Sequence, residues 1–259
     1  MGNMGSAMLS GCLSCFKAED ILFSRADQEK GQALLEATGV TCAENNLTFA
    51  MHSRILILAI KPQYYPQVLE EIRPALDPAK IVISLAPGYT IKDLKALLGE
   101  EIRILRAMPN TPAMVLEGMT GVCFSEDAYS EEEKKIIAQF FTSFGKVETV
   151  PEGLMEAVTA ASGSSPAFVY MMIEALADGV VRAGMPRKQA YTFVAQAVLG
   201  AAKMVLETGE HPGELKDRVC SPAGTTIEAV AALERGGFRN CLIDAADAVC
   251  SKSRKIKSC

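Results

Sequence analysis

The run Ile55-Leu56-Ile57-Leu58-Ala59-Ile60 contains no polar residue. A strand with one wet face would alternate apolar and polar side chains. An unbroken apolar run of this length fits a strand covered on both faces. Such a strand needs helices above and below it, and the surrounding sequence supplies them. Short apolar runs at Ile21 to Ser24, Val40 to Ala43, Lys80 to Ala86, Ile102 to Met108, Thr120 to Phe124 and Lys146 to Val150 read as further strands. Between them, Gln28 to Thr38, Tyr64 to Leu76 and Ile91 to Leu98 read as helices. Gly39 is placed to stop the first of these. Ser130 is placed to cap another helix, whose acidic first turn Glu131-Glu132-Glu133 suits the positive end of the dipole. This alternation predicts an α/β fold with a doubly wound parallel sheet over residues 1–150.

After Pro151 the strand signal stops. Helices are expected over Glu152 to Ala161, Pro166 to Ala183, Pro186 to Thr208, Glu214 to Val219, Thr226 to Arg235 and Phe238 to the tail. Gly184 and Gly209 sit where helix-ending glycines belong, and Pro186 where a first-turn proline belongs. Residues 151–259 therefore read as an all-α domain. Its segment Ala167 to Met204 is apolar on more than one face, and a domain of this size has little core in which to bury it. Packing against a second copy of the chain is the expected solution, and a compact monomeric bundle is the alternative.

Apolar residues make up 49% and charged residues 22% of the chain, which is globular composition. A net charge of −5 argues against a nucleic-acid partner. No apolar stretch is long enough for a membrane span. No secretion signal opens the chain, so a cytoplasmic protein is expected. With only two histidines, His52 and His211, zinc hydrolysis and Ser-His-Asp chemistry have few parts available, and no metal site is expected. His52 is expected in a surface turn and His211 at the end of the long helix. Cys12 and Cys15 form the one close pair among eight cysteines, and reduced thiols are the expected state.

Met1-Gly2-Asn3-Met4-Gly5-Ser6 has the spacing of the later part of a Gly-x-Gly-x-x-Gly loop, in which glycines let the backbone approach a pyrophosphate at a helix N-terminus. The first glycine and the strand before it are expected to be missing. A Gly-x-x-Gly also serves as an ordinary helix start; the βα pattern that follows favours the nucleotide reading. Ser24-Arg25 ends the next strand, where an NAD enzyme usually places an acid. A hydroxyl and a guanidinium suit the 2′-phosphate of NADP, and an ordinary solvated arginine is the alternative.

Ala59-Ile60-Lys61-Pro62-Gln63, Arg106-Ala107-Met108-Pro109-Asn110-Thr111-Pro112, Ser162-Gly163-Ser164-Ser165-Pro166-Ala167, His211-Pro212-Gly213-Glu214-Leu215-Lys216-Asp217 and Ser221-Pro222-Ala223-Gly224-Thr225-Thr226 occur in this order along the chain. Together they resemble the pyrroline-5-carboxylate reductases. The resemblance implies a Rossmann domain followed by a helical domain that interlocks in a homodimer, often assembled into larger rings. It implies NADPH, with NADH possible, held by Gly2, Asn3, Met4, Ser24, Arg25, Asn45, Ala59, Ile60, Lys61, Pro62, Ala86, Pro87 and Gly88. It implies a small-molecule substrate held by Glu152, Ser221, Gly224, Thr225 and Thr226, between the cofactor of one subunit and the loop of its partner. For Glu152 a plain surface glutamate is the alternative. The implied reaction is reduction of 1-pyrroline-5-carboxylate to L-proline. Ser165 and Ala223 stand where the family usually has glycine, and both are expected to be tolerated if φ is negative there.

The loop has a reading of its own. It precedes an apolar helical run, so its backbone N–H groups form an anion site for a carboxylate, and the Thr226 hydroxyl can bond the ring nitrogen. Plain N-capping by Ser or Thr is the alternative. Lys216 and Asp217 match the family motif, although adjacent opposite charges usually mark a solvated face. A β-hydroxyacid dehydrogenase would share the domain plan, but would carry a catalytic lysine in the region Ala161 to Met172, which has none. A non-catalytic oligomeric protein with a disabled nucleotide site is the reading from another class.

Overall fold

The computed structural model describes residues 2–255. Two compact units divide the chain. One comprises Met1–Ser164 with Val249–Cys259, and the other comprises Ser165–Ala248.

The first unit is built on strands. β1 (Leu22–Phe23) and β2 (Thr41–Cys42) form a parallel pair. β3 (Ile55–Leu58), β4 (Ile81–Ser84), β5 (Arg103–Met108), β6 (Gly118–Phe124) and β7 (Gly145–Thr149) form a five-stranded sheet in that order. Among the described residues no strand joins the pair to the sheet.

The apolar runs are explained by what lies on each face. Ile81, Ile83, Leu105 and Ala107 pack with Ala7, Met8 and Cys12 of helix Asn3–Cys12 and with Ile137, Phe140 and Phe141 of helix Glu131–Thr142. Leu56, Val82 and Ile104, in register across β3, β4 and β5, pack on the other face. They meet Tyr65, Leu69 and Ile72 of helix Tyr65–Ile72 and Leu94 and Leu98 of helix Ile91–Leu98. Alternate residues of each strand thus bury into opposite layers.

β6 runs antiparallel to β5, a departure from a wholly parallel sheet. The connection, residues 109–117, is too short for a crossover helix, so the chain turns back beside the strand it left. Helix Asn46–His52 was not foreseen. Asn45 caps it, its Oδ1 accepting from Thr48 N at 2.8 Å. His52 therefore ends a helix, exposed, where a surface turn was expected. The Ser130 cap is present as a capping box with Glu133.

After Thr149 the described residues contain no strand. A short helical stretch with a π-helical segment, Thr159–Ser164, completes the first unit's main segment. The second unit contains helices Ser165–Arg182, Arg187–Thr208, Pro212–Val219 and Thr225–Arg235, and the start of Phe238–Arg254. Its buried cluster consists of Ala177, Ala190 and Val194, flanked by Ile173, Val180, Val181, Met185 and Val198. Large apolar side chains stay exposed: Tyr170 at 60%, Met171 at 69%, Phe193 at 59% and Leu206 at 66%. No helix of the described residues is long and apolar enough to cross a membrane.

Candidate active site

The expected cofactor residues of the first unit lie where strands end and helices begin. Ser24 and Arg25 follow β1, Asn45 follows β2, Ala59 to Pro62 follow β3, and Ala86 to Gly88 follow β4. All are carboxyl ends of parallel strands, where open α/β sheets bind ligands. Gly2 is the N-cap of helix Asn3–Cys12, with no side-chain cap bond, so that end of the helix is left to an anion. A Cβ at Gly2 would meet nothing within 4 Å, so the glycine leaves open space above the helix tip. Met4 is half-buried against the main core. Of the quoted loop, Met1 and the Asn3 side chain lie outside what is described. Gly88 adopts φ 84°, a left-handed conformation that suits glycine. The buried Nε of Arg25 has no hydrogen-bond partner. An open glycine, an uncapped helix tip and an unpartnered guanidinium N–H fit a nucleotide bearing phosphates.

Tyr65 organises two of these turns and was given no role by the sequence. It is fully buried. Its hydroxyl donates to Leu58 O at 3.1 Å, accepts from Ser84 Oγ at 3.0 Å, and lies 3.2 Å from the donating Leu85 N and Ala86 N. It thereby joins the end of β3 to the end of β4, directly before Ala59 and at Ala86. Burial raises its pKa, so it stays a neutral phenol. Tyr89 stacks on it at 4.9 Å.

At the end of β5, Asn110 holds the return loop. Its Oδ1 accepts from Met119 N at 2.8 Å, and its Nδ2 donates to Ser162 O at 3.0 Å, in the π-helical segment. Arg106, 4% exposed at the side chain, pairs with Glu152 at 2.9 Å. The same Glu152 oxygen accepts from Ile91 N at 2.6 Å. Glu152 thus ties β5 to the start of helix Ile91–Leu98. It borders a cavity of about 850 Å³ lined also by Lys95, Cys123 and Asp127.

The expected substrate loop lies in the second unit. Ser221 O accepts from Gly224 N at 3.0 Å, closing a turn with Pro222 and Ala223 at its centre. Ala223 has φ 58°. This overturns the condition set for it: the position needs a left-handed backbone, and a side chain there costs about 1 kcal/mol. Ser165 does meet its condition, lying in a helix without positive φ. Gly224, φ −82°, caps helix Thr225–Arg235 without any side-chain bond, so neither Ser nor Thr caps it. A Cβ on Gly224 would collide with Ser221, so the glycine is needed inside the loop itself. Thr225 is exposed and Thr226 half-buried in the first helical turn.

One other expectation changes. The long helix ends at Gly209, φ 66°, and His211 instead caps helix Pro212–Val219, its Nδ1 accepting from Gly213 N at 3.1 Å. Lys216 pairs with its exposed neighbour Asp217. Burial pushes the Cys12 thiol up to about 12, with the nearby Cys15 adding to the shift, so Cys12 is not a reactive thiolate.

A family model described as pyrroline-5-carboxylate reductase dimerisation matches residues 152–256. Another, described as NADP oxidoreductase, coenzyme F420-dependent, matches residues 1–88. The pyrroline-5-carboxylate reductase of Escherichia coli (strain K12) is 45% identical over 98% of this chain and 95% of that protein. The chain belongs to the pyrroline-5-carboxylate reductase family. Solved members share the fold. The reductase from Coxiella burnetii superposes with a TM-score of 0.90 at 32% identity, covering 98% of this chain and 95% of that one. The Plasmodium falciparum pyrroline carboxylate reductase, solved with NADP bound, gives 0.88 at 32% identity, with 98% and 94% covered. The α/β architecture followed by helices is therefore that of the reductase family.

Proposed function

We infer that the chain is an NAD(P)H-dependent oxidoreductase that reduces 1-pyrroline-5-carboxylate to L-proline, the last step of proline biosynthesis. The near full-length match to reductases at 45% identity carries this reading. Residues 1–150 form the nucleotide-binding domain and residues 151–259 the substrate and dimerisation domain. The nucleotide rests on Gly2, Asn3, Met4, Ser24, Arg25, Asn45, Ala59 to Pro62 and Ala86 to Gly88. The bound dinucleotide supplies a hydride to the imine carbon.

The chain's own task is alignment and charge matching. Free N–H groups at the tip of helix Thr225–Arg235, with Ser221, Gly224 and Thr225, hold the substrate carboxylate. The Thr226 hydroxyl orients the ring nitrogen and is the candidate catalytic residue. Glu152 offers its second carboxylate oxygen, the first being committed to Arg106 and Ile91. No histidine is needed, because the imine can bind already protonated. The exposed apolar side chains of helices Ser165–Arg182 and Arg187–Thr208, together with the dimerisation model, support a homodimer through the C-terminal helices, with rings of dimers as the larger assembly. The assigned compartment is the cytoplasm.

The test is NADPH oxidation with pyrroline-5-carboxylate, with proline measured as product. Thr226→Ala should lower kcat/KM about ten- to a hundredfold while leaving the fold intact. Absence of proline formation by the wild-type chain would refute the assignment. So would turnover of hydroxyacids in its place.

A further inference from the structure

At the carboxyl ends of β1 and β2 lies a pocket of about 220 Å³, lined by Ser24, Arg25, Glu44, Asn45, Asn46 and Glu71. Three of these side chains form a relay. Asn46 Nδ2 donates to Glu71 Oε2 at 2.9 Å, and Ser24 Oγ donates to Asn46 Oδ1 at 2.8 Å. The direction of both bonds follows from chemistry alone. An ionised carboxylate only accepts, so Asn46 must turn its NH₂ toward Glu71. Its carbonyl oxygen then faces Ser24, and Ser24 must direct its hydrogen inward. All three residues are half-buried, which limits competition from water.

We propose that Glu71 sets the chain's choice between reduced dinucleotides, by fixing the Ser24 hydroxyl as an acceptor. This rests on the reading of the chain as an NAD(P)H-dependent reductase. A Ser24 oxygen with its hydrogen committed presents lone pairs to the pocket. It accepts from a free ribose 2′-hydroxyl, and it gives nothing to a 2′-phosphate, whose oxygens need donors. Glu71 also adds a negative charge beside that phosphate. Arg25 acts in the opposite sense, because its guanidinium favours the phosphate. The pair Ser24-Arg25, taken from sequence as an NADP signature, is therefore divided against itself. Arg25 draws NADPH, and the relay from Glu71 retains NADH.

Glu71→Gln reverses the relay. A glutamine NH₂ can donate to Asn46 Oδ1, Asn46 can then flip and donate to Ser24, and the Ser24 hydrogen turns to the pocket. Binding of NADPH and of NADH is followed by nicotinamide fluorescence, without the imine substrate, alongside the melting temperature of each variant. Glu71→Gln should shift the affinity ratio toward NADPH roughly fivefold, the worth of one added hydrogen bond. Asn46→Ala, which frees Ser24 while keeping the Glu71 charge in the pocket, should shift the ratio the same way by less. In a Ser24→Ala background the Glu71→Gln shift should shrink to its Coulombic remainder. An unchanged ratio in both single variants would overturn the relay alone. So would a full shift that persists without Ser24. A wild-type chain that binds neither dinucleotide would overturn the reductase reading, and the relay with it.

Discussion

The two units bury their apolar residues in different ways. In the first, all of β4 is buried, and each face of the sheet meets its own helical layer within the same chain. In the second, helix Arg187–Thr208 is 22 residues long and buries only Ala190 and Val194. Phe193, Leu199, Met204 and Leu206 on that helix remain exposed. A sheet sandwiched by helices closes its core alone, whereas a few long helices leave broad apolar faces for another subunit. The difference closes the first unit's apolar core within one chain and leaves the second unit's apolar faces open.

The sharpest way to break this comparison is to charge the exposed helical face. Met171→Glu with Phe193→Glu should weaken self-association by on the order of 3–5 kcal/mol, because an unpaired charge would be buried between subunits. Sedimentation velocity should report monomers. In the first unit the equally exposed Met51 (61%) should accept glutamate within about 0.5 kcal/mol and leave the assembly intact. Unaltered sedimentation of the helical double variant would show that the face is not an interface.

A second probe concerns ion pairs. Glu133 is nearly buried and pairs with Arg103 at 2.8 Å and Arg54 at 3.0 Å, clamping helix Glu131–Thr142 to the strand starts. The Arg103 bond, aided by Ser130 N and Arg54 and opposed by burial, holds the Glu133 carboxyl at about 2, below the ordinary 4.5. A depressed folded pKa stabilises fully above the unfolded value. That contribution is lost as pH falls from about 4.5 through about 2. Glu133→Gln should flatten this acid limb in urea midpoints measured against pH. It should also cost roughly 2–3 kcal/mol at neutral pH, by leaving Arg103 without its carboxylate. In the second unit, Asp178→Asn, which removes an exposed pair with Arg187, should leave the midpoint unchanged. Equal pH profiles for wild type and Glu133→Gln would discard the account.

The smallest expected effect lies in the loop of residues 221–226. Ala223→Gly should stabilise by about 1 kcal/mol or less, as relief of the left-handed alanine exceeds the added chain entropy. Gly224→Ala should do the reverse, since its new methyl would strike Ser221. Thermal melts of the two variants moving in the same direction would contradict the turn geometry.

What the sequence made legible follows from locality. Helix Ile91–Leu98 falls on its expected bounds, because its cap and periodicity lie within the segment. The family was legible through motif resemblance. Four features were not. β6 reads as a strand in either direction, and only its pairing with β5 decides which. Tyr65 looks like any aromatic at a helix start, because its partners Ser84, Leu85 and Ala86 are distant in sequence. Glu71 looks like a solvated helix charge until Asn46 is seen beside it. The strain at Ala223 lay in a backbone angle, which residue type alone does not reveal.

The course of the last helix has a practical outcome for anyone dissecting this molecule. Phe238–Arg254 starts in the helical unit and finishes in the sheet-bearing one, where Ser253 is buried and Cys250 Sγ lies 3.6 Å from Glu156 O. The chain thus crosses between the units twice, once going out and once coming back. A fragment ending at Ser164 would lack the closing segment of its own unit, so expression of the sheet-bearing unit by itself calls for the C-terminal residues grafted back on.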